Sequence, residues 1–155
     1  MSTKKTLYME TTQIPAERTA AEISSCLIQA GATQIATDYE GGEIKGLRWT
    51  MQIHGQDVLF AMPARVDPIF KALNDRRQSS YLRQNKAPDD RAQAKRVGWR
   101  QLLRWVQAQV AMIECGMTEA AEVFFPYIQI PGTNQTLFQR FKDQKSLPTP
   151  QDNLQ

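Results

Sequence analysis

Arg96, Arg100 and Arg104 recur every four residues in this chain, a spacing that stacks side chains on one side of an α-helix. A guanidinium presents a planar fork of donors suited to phosphate, so three a turn apart form a candidate ladder for a nucleic-acid backbone. At about 100° per residue the ladder lies roughly a quarter turn or a little more from an apolar stripe of Trp99, Leu102, Val106, Val110, Ile113 and Met117. That offset predicts a row open to solvent. Arg76, Arg77, Arg83, Lys86 and Arg91 precede it and are expected to complete a groove between two helices. Trp105 sits off the main stripe, on a thinner strip with Val97, Ala108 and Met112, and is the aromatic held available for stacking on an unpaired base. Trp49 is in phase with Leu47 and Met51, so it is expected in the core, while Tyr81 and Tyr127 are further stacking candidates. The plain alternative for the row is a solvated helix face ion-paired to Asp75, Asp89 or Asp90.

Other constellations carry less chemistry. Asp38, followed across Gly41-Gly42 by Glu43-Ile44-Lys45, has the outline of the acid-x-lysine hairpin of magnesium-dependent nucleases, but the match is short and its spacing tight. His54, the single histidine, stands beside Gly55 and reads as a surface turn residue. Cys26 and Cys115 fall in predicted helices on or near apolar faces and are expected as buried free thiols, and no Cys/His set has zinc spacing. There is no Walker motif, and no nucleophile and base pair can be recognised. The expectation is therefore no catalytic set, no metal site and no cofactor.

The net charge of +3 conceals an asymmetry. Residues 65 to 104 hold eleven Lys/Arg against four acids, a local charge of +7, while residues 1 to 64 and 105 to 155 each carry −2. A basic block between two acidic flanks can attract a polyanion even though the whole chain is only weakly basic. At 155 residues and 41% hydrophobic content the chain is expected to form one domain, residues 1 to 141, with a flexible polar tail from 142 to 155. No apolar run approaches membrane-spanning length, and Met1-Ser2-Thr3-Lys4-Lys5 does not open a signal peptide, so no membrane partner and a cytoplasmic setting are expected.

The elements that must hold these residues follow from periodicity. Residues 6 to 13 alternate loosely and predict a first strand, ended by Ile14-Pro15. Ala16, Ala20, Ile23, Leu27 and Ala30 trace a helix stopping at Gly31. Strands follow over residues 32 to 39, then through Leu47, Trp49, Met51 and Ile53, then through Val58, Phe60 and Met62, with Arg48, Thr50 and Gln52 on the exposed face. Asp67-Pro68 opens a helix ending near Arg83, with Ile69, Phe70 and Leu73 buried. Asp89 and Asp90 open the long helix, Gly116 caps it, and Thr118 starts a short helix closed by Phe124-Phe125-Pro126-Tyr127, an aromatic clamp on the long one. Ile128 and Ile130 read as one more extended segment, and Leu137, Phe138 and Phe141 as a last helical turn. The expected fold is α+β: an antiparallel sheet of about four strands in the order β-α-β-β-β-α-α-α, with helices on one face.

The string Lys95-Arg96-Val97-Gly98-Trp99-Arg100-Gln101-Leu102-Leu103-Arg104-Trp105-Val106-Gln107-Ala108-Gln109, with Glu122-Val123-Phe124-Phe125-Pro126-Tyr127 and the opening Pro15-Ala16-Glu17-Arg18-Thr19-Ala20-Ala21-Glu22-Ile23, resembles a group of small proteins of tailed bacteriophages and prophages. The resemblance covers most of residues 6 to 141 and implies a biological setting but no site residues. In outline the order from Pro15 to Arg83 is also similar to double-stranded-RNA-binding domains, though Asp67-Pro68-Ile69-Phe70 stands where their basic second helix would start. The expected function is non-enzymatic binding of nucleic acid, single strands favoured. A protein-interaction module, including a homo-oligomer, is the alternative, and a metal-dependent nuclease the third reading.

Overall fold

The computed structural model describes residues 6–78 and 90–144, the side chains of residues 77, 78 and 90 excepted. Helix α1 (Ala16–Gln29) precedes strands β1 (Ala32–Glu40), β2 (Glu43–Ile53) and β3 (Gln56–Pro63). Helices α2 (Asp67–Gln78) and α3 (Asp90–Glu114), a short α4 (Ala120–Val123), a 3₁₀ turn (Phe125–Tyr127) and α5 (Leu137–Gln144) complete the order. The strands form an antiparallel meander, β1-β2-β3. Two-residue turns close both hairpins: Gly41 and Gly42 at φ 59° and 79°, His54 and Gly55 at φ 49° and 80°. Positive φ at both turn positions matches the right-handed twist of the strands.

The fold is α+β as expected, but among the described residues the sheet has three strands. Residues 6 to 13 do not pair as a strand; they turn at Met9, φ 64°, where the Glu10 N–H donates to Leu7 O at 3.0 Å and the Thr12 N–H to Met9 O at 3.1 Å. Side chains of α3 replace the sheet as their partner. The Gln93 amide donates to the carbonyls of Glu10 and Thr12 (2.8 and 2.9 Å), and the Gln101 amide to that of Tyr8 (2.9 Å). A loose two-residue alternation is a weak signal that such long-range bonds override.

One hydrophobic core joins the inner sheet face to α1 and α3. Leu47, Trp49, Met51, Phe60 and Met62 pack with Ile23, Leu27, Trp99, Leu103, Val106 and Phe124, all nearly inaccessible to water. Trp49 stacks on Phe60 at 5.3 Å, and Phe124 meets Trp49 edge-on at 5.3 Å and Trp105 at 5.7 Å. The expected aromatic clamp is thus centred on Phe124, which ties the sheet to α3. At Gly46 a Cβ would stand 2.7 Å from the Met62 carbonyl oxygen, so only glycine lets β3 approach β2 there.

Helix α3 buries Ala94, Val97, Trp99, Leu103, Val106 and Val110. The expected stripe is shifted: Leu103 is core, Leu102 and Ile113 are half-buried, and Met117, beyond the helix end, is 70% exposed. The helix closes on Gly116 (φ 77°), with Met117 N–H donating to Met112 O (3.0 Å) and Gly116 N–H to Ile113 O (3.1 Å). Thr118 does not cap α4; its hydroxyl bonds the Glu122 carboxylate at 3.0 Å, and Glu119 holds the N-cap position. Beyond the 3₁₀ turn, Ile128 bridges Phe60 and the Gln129 N–H donates to Leu59 O at 2.8 Å, which covers the β3 edge. Residues 142–144, expected in a tail, continue α5, and residues 145–155 lie outside the described residues. Among the described residues no helix is long and apolar enough to cross a membrane.

Candidate nucleic-acid interface

The arginine ladder is not an open row. Arg100 is a core-facing residue whose side chain is 9% exposed; its Nη1 donates to Glu22 Oε2 at 3.0 Å and points at the Thr19 hydroxyl at 3.4 Å, both on α1. About one turn nearer the helix start, Arg96 grips Gln93 Oε1 through Nε (3.0 Å) and Nη2 (2.6 Å), orienting the same amide that holds the N-terminal turn. Arg104 alone of the three is exposed, bonded to Gln107 at 3.1 Å. The physical reason is the packing of α1 and the N-terminal turn across this side of α3. From α2, Arg76 is tied to the same turn by an ion pair with Glu10 at 2.6 Å. Arg83 and Lys86 lie outside the described residues, as does the side chain of Arg77.

The other side of α3 carries a different set of cations. Arg91, Lys95, Gly98, Leu102 and Trp105 are spaced four and three residues apart and fall within roughly 80° of one another, about half a turn from Arg100. Lys95 and Arg91 line a cleft of about 310 Å³ with Lys45 from β2 and Arg65 from the β3–α2 connection. Two carboxylates are present. Glu43 sits 3.4 Å from Lys45, and Asp67 3.0 Å from Arg91, whose guanidinium also lies 5.8 Å from the centre of the Phe70 ring. Arg65 and Lys95 have no ion-pair partner among the described residues. Four cations against two carboxylates leave the cleft net positive, the electrostatic condition for an anionic ligand.

Next to it lies a second hollow of about 210 Å³, to which Arg65, Gly98, Gln101, Leu102, Trp105 and Tyr127 contribute. Arg65 is shared by both hollows. At Gly98 a Cβ would stand 3.1 Å from Ile69 Cδ1, so the missing side chain lets α2 close on α3 beneath them. Trp105 is half-buried, its ring held edge-on between Phe124 (5.7 Å) and Tyr127 (5.8 Å). Trp49 and Trp99, by contrast, are 1% and 0% exposed.

The remaining candidates do not converge. Asp38 is paired with Arg48 at 2.8 Å, while Glu43 is paired with Lys45 at 3.4 Å, so the nuclease-like acids have separate partners. Among the described residues no group of three or more His, Cys, Asp or Glu could hold a metal ion. His54 stands in its exposed turn, 3.7 Å from Glu119. Burial, and then the Glu22 carboxylate, pushes the Cys26 thiol up, which keeps it protonated and unreactive at neutral pH. On the outer sheet face Gln34, Arg48 and Thr50 line a hollow with Trp49, whose ring turns inward onto Phe60.

No family model, curated protein or solved structure matches the chain. The site is therefore argued from its own geometry. Of the residues expected from sequence, Arg91 and Trp105 belong to these hollows, whereas Arg76, Arg96 and Arg100 have other partners. The sequence pattern did not single out Arg65 or Lys95, and it offered Lys45 only within the nuclease-like hairpin. The signal for Lys95 was present in its four-three spacing with Arg91, Gly98, Leu102 and Trp105, but the regular four-residue arginine repeat was the stronger pattern.

Proposed function

We propose that this chain is a non-enzymatic nucleic-acid-binding protein of bacteriophage type that takes single strands on the cleft between α2, α3 and the start of β2, as part of a replication or recombination assembly. The observation that carries the reading is the pair Arg65 and Lys95: two cations lining one cleft with no carboxylate partner among the described residues, next to a half-buried tryptophan. Cations not neutralised internally release counterions when a phosphate binds, and an unpaired base offers a face to an aromatic ring that a base inside a duplex does not. Fluorescence anisotropy with labelled single-stranded and duplex oligonucleotides over a salt series tests it. Binding should favour the single strand, with log K falling against log salt at a slope of about −1.5 to −3, corresponding to two to four phosphates. Absence of binding to either oligonucleotide at low salt would overturn it.

A protein-interaction module is the second reading, favoured by Phe125 and Phe138, 57% and 43% exposed on the adjoining 3₁₀ turn and α5. It predicts that Phe125→Ser removes a protein contact while leaving oligonucleotide binding intact.

A further inference from the structure

Resting on the nucleic-acid reading, we infer that the two hollows divide one short single-stranded segment between them: its phosphate sits on Arg65 and Lys95, and a base stacks on Trp105 against Tyr127. Three observations carry the division. All the charged side chains but one line the first hollow alone, the aromatic ones line the second alone, and Arg65 joins them. Lys95 and Trp105 lie on the same side of α3, ten residues and so about 15 Å apart along its axis, the length of a few nucleotides. Gly98, between them on that side, lines the second hollow, with Ile69 of α2 packed where its side chain would stand.

The arrangement distinguishes this ligand from a bare polyanion. A sulfated or phosphorylated polymer without bases satisfies the cationic hollow and leaves the aromatic one empty. A strand with an uncharged backbone does the reverse, and is too weakly held without the phosphate contribution. Trp105 also supplies its own readout, since the other two tryptophans are buried and out of reach of a ligand.

The test titrates the full chain with a short oligothymidylate, with inorganic polyphosphate and with a methylphosphonate oligothymidylate, following tryptophan fluorescence and anisotropy together. The oligothymidylate should bind and quench; polyphosphate should bind without quenching. Arg65→Ala with Lys95→Ala should lower oligothymidylate affinity about tenfold and flatten its salt slope by about 1 to 1.5. Trp105→Phe, which keeps an aromatic packed against Phe124, should abolish the quenching and cost about five- to tenfold in affinity, with the salt slope unchanged. A thermal melt establishes that each variant is folded. Oligothymidylate binding without quenching, and indifferent to all three substitutions, would overturn the divided site while the nucleic-acid reading survives. Loss of affinity in Arg65→Ala/Lys95→Ala with no effect of Trp105→Phe would reduce the site to its charged half and also overturn the division. No binding of any strand would remove both.

Discussion

The two sides of α3 both carry cations at helical spacing in the sequence, the arginine repeat the more regular, and they meet opposite fates in the fold. On one side Arg96, Arg100 and Arg104 repeat with perfect helical spacing, yet one is buried against Glu22, one orients Gln93, and only Arg104 is exposed. On the other side Lys95 faces a cleft with Arg65, and neither has an ion-pair partner among the described residues. The difference teaches that a cation's availability is decided by what packs over its helix face, and α1 and the N-terminal turn cover the first face. A charge already matched inside the protein has little left to offer a phosphate.

The sharpest way to break this comparison is charge reversal on each side. Arg65→Glu with Lys95→Glu should reduce single-strand affinity by about a hundredfold at low salt, whereas Arg104→Glu should change it by less than about threefold. Equal losses by anisotropy would erase the distinction.

Stability separates the sides next. Arg100→Ala should destabilise the fold by about 2 kcal/mol in urea denaturation, because packing and the bond to Glu22 are lost together, while strand binding by the folded variant stays unchanged. Arg100→Met should recover most of that loss. Its Nε is buried without a hydrogen-bond partner among the described residues, and an apolar chain of similar length removes that desolvation cost.

Smaller still is the effect expected of Gln93→Ala, about 1 kcal/mol, since it deletes the two amide bonds that hold the N-terminal turn. Hydrogen exchange should then accelerate at residues 9 to 12 and remain slow in β2. It also releases Arg96 from its amide partner, so a gain in strand affinity in this variant would show that the first face can be opened.

The slightest change concerns Cys26. Glu22→Gln removes the second of the influences that hold its thiol up, leaving burial as the main one. Its pKa should fall toward the ordinary thiol value, so alkylation at mildly alkaline pH should quicken relative to the wild type. Mass spectrometry, with the exposed Cys115 as internal reference, reads the ratio.

Most of the element order was legible from local pattern. Ile23 and Leu27 declared α1, the alternation through Leu47, Trp49 and Met51 declared β2, and Gly41-Gly42 and Gly55 marked the hairpins. The misreading of residues 6 to 13 arose because nothing local distinguishes a loosely alternating strand from a turn whose carbonyls are capped by glutamines of a helix far along the chain. Trp105, read as off the main stripe, is half-buried against Phe124, and Phe124 was placed correctly in the clamp. Leu103 was not assigned to the core because the stripe was centred one position away.

By itself the sequence determined the helices, the hairpins, the glycine stops and the concentration of positive charge between residues 65 and 104, since each depends on neighbours within a turn or a strand. Only the tertiary structure decided which of those charges face water. That outcome rests on meetings between residues far apart in the chain, Glu22 with Arg100 at a separation of 78 and Glu10 with Gln93 at 83, and no periodicity encodes them.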